Sequence, residues 1–519
     1  MKFYNHHILV SIDNPSLKNE YIKIMFNLRN ELKLQQLDDD INVLDTGSLG
    51  ILGTGISMVI YPENITYINI SVDDIPEIVK EHFIKGLHVN RLLMREETLE
   101  KTIKMSDKRR IVLEHCGMID PENIADYLAV GGYEVWEKAL TELDPLDIID
   151  TVRDSGLRGR GGAGFPTGTK WTFTEIFKGV QKYFIINADE GEPGTCKDRL
   201  IMEGDPHKLV EGLMISSFAV GATKAIIYVR GEYKLSINRL QKAIDQAVEY
   251  GILGTDIFGS GFDLNIEIKI GAGAYVCGEE TALIESIEGK RGNPRSKPPF
   301  PGVKGLWQQP TVVNNVETIA NIPSIIKNGA NWYRSFGTKD CPGTKVFMIL
   351  GDVALPGFYE VDLGTPLRTV IEEYGGGMKD GKKFKAALIG GAAGVFIPKE
   401  FLDVNLDYKN LHEQGAVLGS GAILVMNDDA DIVEMMYSVI KFFRHESCGK
   451  CSPCRLGNEQ LYQLIRKIRS GKGKEADFEK MLTISDAMQK TSFCALGQSP
   501  AMSIKSAFKY FKADFEKVM

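Results

Sequence analysis

No cysteine occurs before Cys116 in this chain of 519 residues, although it holds eight. A disulfide framework is not usually confined in this way, so an exported, cross-linked protein is not expected. No run of about eighteen uncharged apolar residues is present, which leaves no candidate transmembrane helix. Met1 to Val10 lacks the long apolar core and small-residue cleavage site of a secretory signal. Neither sign of charge dominates. The 61 Lys and Arg against 69 Asp and Glu leave −8 with the signs interspersed, which argues against general nucleic-acid binding. Internal repeats and low-complexity tracts are lacking too. What remains is an ordinary globular composition, 43% hydrophobic, in a chain long enough for several domains.

Four regions separate by pattern. Residues 1–95 alternate strand signals (Ile8 to Val10, Met58 to Tyr61, Tyr67 to Ile70) with helical ones at 17–33 and 73–83, as in a small α/β domain. Residues 96–335 carry most of the glycine-rich punctuation. Buried strands are expected at Tyr183 to Ile186 and Ala225 to Val229, a half-buried strand at Leu264 to Ile270, and a helix at Leu235 to Val248. That alternation suggests a largely parallel sheet with loops at its edge. In 336–425 strands dominate (Val346 to Leu350, Ala386 to Ile389, Ile423 to Met426), interrupted by a short helix near Pro366 to Tyr374. In 426–519 the pattern turns helical. Ile432, Met435, Met436, Val439 and Phe443 share one face; Leu461, Leu464, Ile465 and Ile468 share another, on a helix that Gly471 ends; a third helix runs near Phe478 to Met488.

A helix at Pro145 to Ser155 leads into a loop with six glycines between Gly156 and Gly168. Glycine lets backbone approach a ligand with no Cβ in the way, and exposed amides there can cradle phosphate. Arg158, Arg160 and Lys170 add positive charge, and Phe165, Trp171 and Phe173 flank the loop. A flexible surface loop is the plain alternative, and the glycine density, charge and aromatics favour a nucleotide site. The spacing is not the usual Gly-x-Gly-x-x-Gly after a strand, so a standard dinucleotide fingerprint is not assigned.

Two acidic turns follow strands: Asn187-Ala-Asp189-Glu190-Gly-Glu192, and Gly271 to Glu280 with Tyr275, Cys277, Gly278, Glu279 and Glu280. Carboxylates there can accept hydrogen bonds from ribose hydroxyls and disfavour an extra phosphate, which selects NAD over NADP. A solvated acidic face would look the same for either turn alone. Cys277 reads as a small buried residue. Lys297-Pro-Pro-Phe300 and Val313-Asn314-Asn315 with Thr318 could serve a heterocycle or a phosphate, or be a proline-rich connection and an Asn-capped helix.

Cys448, Cys451 and Cys454 lie at three-residue intervals, and Cys494 follows at a distance. Three thiolates on one turn plus one remote thiolate match the holding of a [4Fe–4S] cube at four corners. Structural zinc usually takes paired Cys-x-x-Cys or Cys/His sets and is the main rival. Arg444, Lys450 and Arg455 would offset cluster charge, and Ser499-Pro500 reads as a helix N-cap and first turn nearby.

In this order, Arg158 to Gly168, Gly271 to Leu283 and Glu446 to Gly457 resemble the NADH-binding flavoprotein subunit (51 kDa type) of respiratory complex I. They also resemble its relatives, the diaphorase subunits of NAD-linked hydrogenases, formate dehydrogenases and electron-bifurcating enzymes; the resemblance covers residues 96–519. It implies FMN, NAD(H) and one [4Fe–4S] cluster on Cys448, Cys451, Cys454 and Cys494. Gly159, Gly161, Lys170, Asn187, Asp189, Glu190, Gly278, Glu279, Glu280, Val313, Asn314, Asn315 and Thr318 would line FMN. Gly162, Phe165, Lys170, Phe173, Glu192, Tyr275, Glu280 and Phe300 would face NADH.

The implied architecture is α/β and multidomain. A thioredoxin-like domain fills 1–95, a Rossmann-like FMN/NAD domain 96–335, a β-grasp-like (SLBB) module 336–425, and a helical cluster domain 426–519. Related N-terminal domains carry a [2Fe–2S] cluster on four cysteines, where this chain has Ser11, Ser16, Ser48 and Leu52; the fold is expected without the cluster. The chain also lacks a cysteine-rich ferredoxin tail.

The function expected is NADH:acceptor oxidoreduction, with FMN carrying the chemistry and no catalytic side chain required. The cluster would relay single electrons to a small [2Fe–2S] subunit and a larger iron–sulfur subunit of the hydrogenase or formate dehydrogenase kind, in the cytoplasm. A non-catalytic scaffold and a zinc-stabilised nucleotide module are the alternatives. Direction, terminal acceptor and bifurcation are not decided by any residue.

Overall fold

A computed structural model describes residues 6–12, 15–38, 40–47, 55–61, 63, 65–94 and 110–518. It is mixed α/β, with three separate sheets among the described residues and a helical C-terminal region. The first sheet holds β1 (His6–Ile12), β2 (Ile41–Gly47), β3 (Ile56–Tyr61) and β4 (Ile65–Tyr67), in the order β2-β1-β3-β4. Only β1 and β2 run parallel, and α1 (Lys18–Leu34) links them. Tyr21, Ile24, Met25, Leu28 and Leu32 recur at helical spacing on α1 and are all buried.

The edge strand β2 is missed by sequence reading, because Asn42, Asp45 and Thr46 break its apolar run. The strand expected at Tyr67 to Ile70 ends at Tyr67, where Asn69 turns to φ 53°. Ser48 and Leu52, and the boundary near residue 95, lie outside the described residues. Ser11 shares a buried 2.7 Å hydrogen bond with Ser57.

The second sheet is all parallel, in the order β7-β6-β5-β8. Its elements run α2 (Pro145–Ser155), α3 (Thr167–Glu175), β5 (Tyr183–Ala188), α4 (Lys197–Gly204), α5 (Pro206–Val220), β6 (Lys224–Arg230), α6 (Lys234–Glu249), β7 (Asn265–Gly271), α7 (Glu280–Ile287), β8 (Thr311–Asn315) and α8 (Val316–Ala320). The apolar runs of β5 and β6 are buried on both faces, as an interior parallel strand requires. β7 sits at the edge, and Ile270 at its end faces solvent.

The third sheet has the order β10-β9-β13-β11-β12. It comprises β9 (Thr344–Gly351), β10 (Gly357–Asp362), β11 (Phe384–Ile389), β12 (Val395–Pro398) and β13 (Ala422–Asn427), with α9 (Tyr408–Glu413) before the last strand. β9 and β13 are parallel and the other pairs antiparallel. β10 and β12 were not expected: one carries Gly357, Glu360 and Asp362, and the other is four residues long.

Then α10 (Ile432–Glu446), α11 (Ser452–Lys467), α12 (Glu475–Thr491) and α13 (Pro500–Glu516) pack their apolar faces together. Ser499 stands at the N-cap position before Pro500, as expected, but its side chain does not cap the helix. Its backbone is already helical (φ −66°, ψ −35°), and its hydroxyl donates back to Ala495 O. Among the described residues no helix is long and apolar enough to cross a membrane.

A buried ionic group ties the second and third sheets together. The Glu317 carboxylate on α8 meets Lys197 Nζ at 3.0 Å and Lys345 Nζ at 2.9 Å, and takes the Val346 amide at 2.8 Å. Lys197 also pairs with Asp198 at 2.5 Å, and Lys345 donates to Arg160 O at 3.2 Å. Arg160 was expected to lend positive charge to a phosphate. Instead it is fully buried, and its guanidinium donates to Thr344 O, Arg158 O, Pro342 O and Tyr333 Oη. It is a strut from the glycine loop to the third sheet. Because removing one partner strands the others in a low-dielectric interior, Glu317→Ala is expected to lower stability by about 3–5 kcal/mol, read by urea unfolding. A loss below about 1 kcal/mol would show the group to be incidental.

Candidate functional site

The glycine loop folds as a tight hairpin. Gly159 N donates to Phe165 O at 2.9 Å, and Thr167 N to Leu157 O at 2.9 Å. Its glycines serve different ends. A Cβ at Gly168 would lie 2.6 Å from the Arg153 backbone, and one at Gly164 2.6 Å from the Tyr408 ring, so packing forbids both. At Gly159 an added Cβ meets nothing nearer than 3.6 Å, and at Gly162 nothing nearer than 3.8 Å. The loop is least crowded at this opening, where the nearest neighbours stand at ordinary van der Waals distance and Gly162, at φ 131°, keeps a backbone conformation that favours glycine.

Around that opening, Lys170 on α3 donates to Glu280 at 2.9 Å and to Val313 O at 2.8 Å. Lys297 reaches both Glu279 and Glu280 at 2.8 Å. Burial alone would raise the Glu280 pKa, but the two lysines outweigh it and hold the carboxyl at about 2. Glu279 caps α7 through the Thr281 and Ala282 amides. Sequence reading quoted Lys297 without giving it a role, and its only signal was its place before two prolines and Phe300.

Asn187 at the end of β5 donates to Gly278 O at 2.8 Å, joining the two acidic turns. Asp189 beside it is 8% exposed, and neither carboxylate oxygen has a partner. Burial pushes its pKa up to about 7, against the pull of Arg230. A buried carboxylate with no donor is costly, so a ligand that supplies hydroxyl or N–H groups fits here. Glu192 is held by the Tyr275 hydroxyl at 2.5 Å and by the Ala393 amide at 3.2 Å.

Other expected residues face inward. Glu190 takes the Asp198 and Arg199 amides at the start of α4. Asn314 takes the Trp171 indole N–H, Asn315 caps α8, and Thr318 accepts the Arg160 amide. These shape the pocket's floor. Phe165, Phe173 and Phe300 are 48%, 51% and 58% exposed, open enough to stack on a planar ring.

The thiols form the second part of the site. Cys448, Cys451, Cys454 and Cys494 line one pocket with Val276, Pro294, Phe493 and Leu496. Among the described residues, no three His, Cys, Asp or Glu side chains converge as one ion would require. Four thiols set around a space suit the corners of a cluster better than a single tetrahedral zinc. Cys451 precedes α11 and Cys494 precedes the turn Ala495–Gln498, so amide ends face the pocket. Arg455 donates to Gly449 O, and Lys450 to Pro294 O while lying over Phe493; Arg444 is taken up by Glu459.

A parallel sheet with an open glycine loop, a partnerless buried carboxylate and a four-thiol pocket defines a nucleotide-binding iron–sulfur flavoprotein. Residues 152–324 match the Nuo51 FMN-binding domain, 346–395 the SLBB domain, and 434–518 the NADH-ubiquinone oxidoreductase-F iron-sulfur binding region. The HndC component of the NADP-reducing hydrogenase of Solidesulfovibrio fructosivorans is 50% identical over 407 residues, 78% of this chain and 83% of that one. An F-type component of the NADH-quinone oxidoreductase of Rhizobium meliloti is 47% identical over 405 residues, 78% of this chain and 96% of that one. A solved NAD+-reducing [NiFe]-hydrogenase in the H2-reduced state superposes with a TM-score of 0.70 at 31% identity, covering 100% of this chain and 84% of that one. The chain belongs to the family of F-type, 51 kDa flavoprotein components of NADH-quinone oxidoreductases. It is an oxidoreductase subunit of the 51K NADH dehydrogenase or diaphorase type, with FMN, NAD(H) and a [4Fe–4S] cluster as its cofactors.

Asp189 also makes a pH prediction for FMN-stripped protein. The unfolded carboxyl ionises near 3.8 and the folded one near 7. The native state therefore binds the extra proton between those values, and stability falls as pH rises through that window. The Asp189 share of the loss is expected to reach at most about 4 kcal/mol; Glu190, also pushed up to about 7 by burial, adds a fall of the same sign, so Asp189→Asn should lessen the fall between pH 5 and pH 8 in urea titrations without abolishing it. A wild-type stability that does not fall would refute the partnerless carboxylate.

Proposed function

We propose that this chain passes a hydride between NAD(H) and FMN and hands electrons singly through its cluster to partner subunits. The turn at Tyr275–Gly278 carries this reading. The Tyr275 hydroxyl reaches Glu192 on the nucleotide side, while Val276 next to it lines the thiol pocket. One short segment thus borders both redox sites. When bound, FMN supplies the exchange between two-electron and one-electron steps. The protein's part is orientation. Gly159 borders the flavin and Gly162 the dinucleotide, and Asp189 accepts hydrogen bonds from the flavin. Lys170 sits charged beside Glu280 at its rim. Phe165, Phe173 and Phe300 stack on the dinucleotide, and Glu192 takes a ribose hydroxyl. Gly161, Asn187, Glu190, Gly278, Glu279, Val313, Asn314, Asn315 and Thr318 complete the flavin's walls. The four cysteines hold the cluster, which Tyr275 N and the Glu446 carboxylate, bonded at 2.9 Å, help to fix against the nucleotide turn.

The 1–95 region is proposed as a thioredoxin-like domain that has lost its own cluster. Its strand order and its single parallel pair support that reading. The 96–335 region is proposed as Rossmann-like, 336–425 as β-grasp-like and 426–519 as the cluster domain. Partners are proposed to be a small [2Fe–2S] subunit and a larger iron–sulfur subunit, with the first domain as a docking surface. None of the eight cysteines, all among the described residues, is in a disulfide, which suits a reducing cytoplasm.

Two measurements test the reading. Iron analysis should give about four irons per chain, with the cluster lost in Cys454→Ala or Cys494→Ala and the helical region destabilised. Six irons, or a [2Fe–2S] signal, would contradict a cluster-free first domain. With an artificial acceptor, NADH should be oxidised far faster than NADPH, and Glu192→Ala should weaken NADH use while FMN stays bound. The Solidesulfovibrio fructosivorans relative is named for NADP, so the comparison is a sharp one: equal turnover of the two nucleotides would end the selectivity claim.

A further inference from the structure

The third sheet contributes a loop to the nucleotide pocket that sequence reading did not connect with it. β11 ends at Ile389, and the chain makes the turn Gly390-Gly391-Ala392-Ala393-Gly394 before β12. Gly390 and Gly391 both take left-handed backbone conformations, φ 96° and 75°. That turn presents the Ala393 amide to Glu192 Oε1 at 3.2 Å, on the side of the carboxylate opposite the Tyr275 hydroxyl. Burial raises the Glu192 pKa overall, and the Tyr275 hydroxyl and the Ala393 and Ala392 amides offset part of that rise. A Cβ at Gly391 would lie 2.5 Å from both Glu192 Cγ and Oε1.

Behind the turn, a Cβ at Gly419 would lie 2.6 Å from Gly390 Cα, and the nearest atom to a Cβ added at Gly162 of the glycine loop would be Gly419 C, at 3.8 Å. Ser420 next to it shares a 2.8 Å hydrogen bond with Thr195, three residues past Glu192. Backbone therefore packs on backbone across three loops, and the position of Glu192 is set from the third sheet rather than from its own strand.

We infer that the Gly390–Gly394 turn is a positioning element for the nucleotide: its Ala393 amide holds and aims the Glu192 carboxylate, so it sets dinucleotide affinity without touching the flavin. The inference rests on the proposed role of Glu192 toward the dinucleotide. The Ala393 amide, opposite the Tyr275 hydroxyl, anchors the carboxylate and favours its charged form, and a charged acceptor binds a ribose hydroxyl more strongly than a neutral acid does. Tyr275 alone would leave the carboxylate free to rotate and easier to protonate.

The test uses the full-length holoprotein and three measurements. Gly391→Ala should raise the NADH KM and the calorimetric Kd for NAD+ by roughly tenfold, with FMN content, iron content and kcat within about twofold of wild type. The acid limb of its kcat/KM profile should move to higher pH, because a carboxylate short of amide donors is protonated more easily; a merely structural defect would not move that limb. Glu192→Gln should raise the Kd as well. If it does and Gly391→Ala does not, the turn has no positioning role and the inference is overturned while the role of Glu192 stands. If Glu192→Gln leaves the Kd unchanged, the role of Glu192 fails and the inference with it. Should Gly391→Ala not fold, amide hydrogen exchange on wild type decides: NAD+ should slow exchange in 390–394, and unchanged exchange there overturns the inference.

Discussion

Glu317 is the point on which the site depends. Its carboxylate pairs with two fully buried lysines from different elements, Lys197 on α4 and Lys345 on β9, with Asp198 on Lys197 balancing the second charge, and it receives a β9 amide. Charges in such an interior persist only when paired and hydrogen-bonded, so the four segments meeting there have little freedom to move apart. One of them is the glycine loop, held through Arg160 and its carbonyl. An open loop made largely of glycine would otherwise be costly to order. The buried ionic group converts it into a rigid lip with its unfilled side outward.

The third sheet is therefore part of the nucleotide site's frame. Tyr408 on α9 donates to Gly159 O, and Thr344 and Pro342 receive the Arg160 guanidinium. The Gly390–Gly394 turn meets Glu192. On the other side, α10 delivers Glu446 to the Tyr275 amide, and Phe442 packs edge-on against the Tyr275 ring at 5.1 Å. The turn between β7 and α7 is thus gripped from both neighbouring regions. That arrangement joins the Glu192 side of the turn to the thiol pocket through one short segment.

The division of labour among acidic residues follows from burial and partners. Glu280 stays ionised between two lysines, Glu279 and Glu190 cap helices, and Asp189 is left without a donor. Only the last has unused capacity of its own. A row of carboxylates that looks uniform in sequence thus separates into structural caps, a paired charge and a ligand-facing acceptor.

Much of this was legible beforehand. The glycine density of 156–168, the three-residue cysteine spacing and the helical faces of 432–468 are local patterns, set by backbone sterics and by which face must be buried, and they needed no partner to be read. Strands β5, β6, β9 and β13 showed as apolar runs because interior strands bury both faces. What was not legible depends on residues far apart in the chain. Edge strands β2 and β10 and the short β12 carry too little apolar signal. Arg160 looks like any loop arginine until Thr344 and Pro342 arrive beneath it, and Gly391 looks like any turn glycine until Glu192 meets it. Sequence alone determined which chemistry the chain can hold, because ligand spacing and glycine content are local. The tertiary structure decided which of those residues is left without a partner and so faces the ligand, because hydrogen-bond satisfaction in a buried site is settled only by what packs against it.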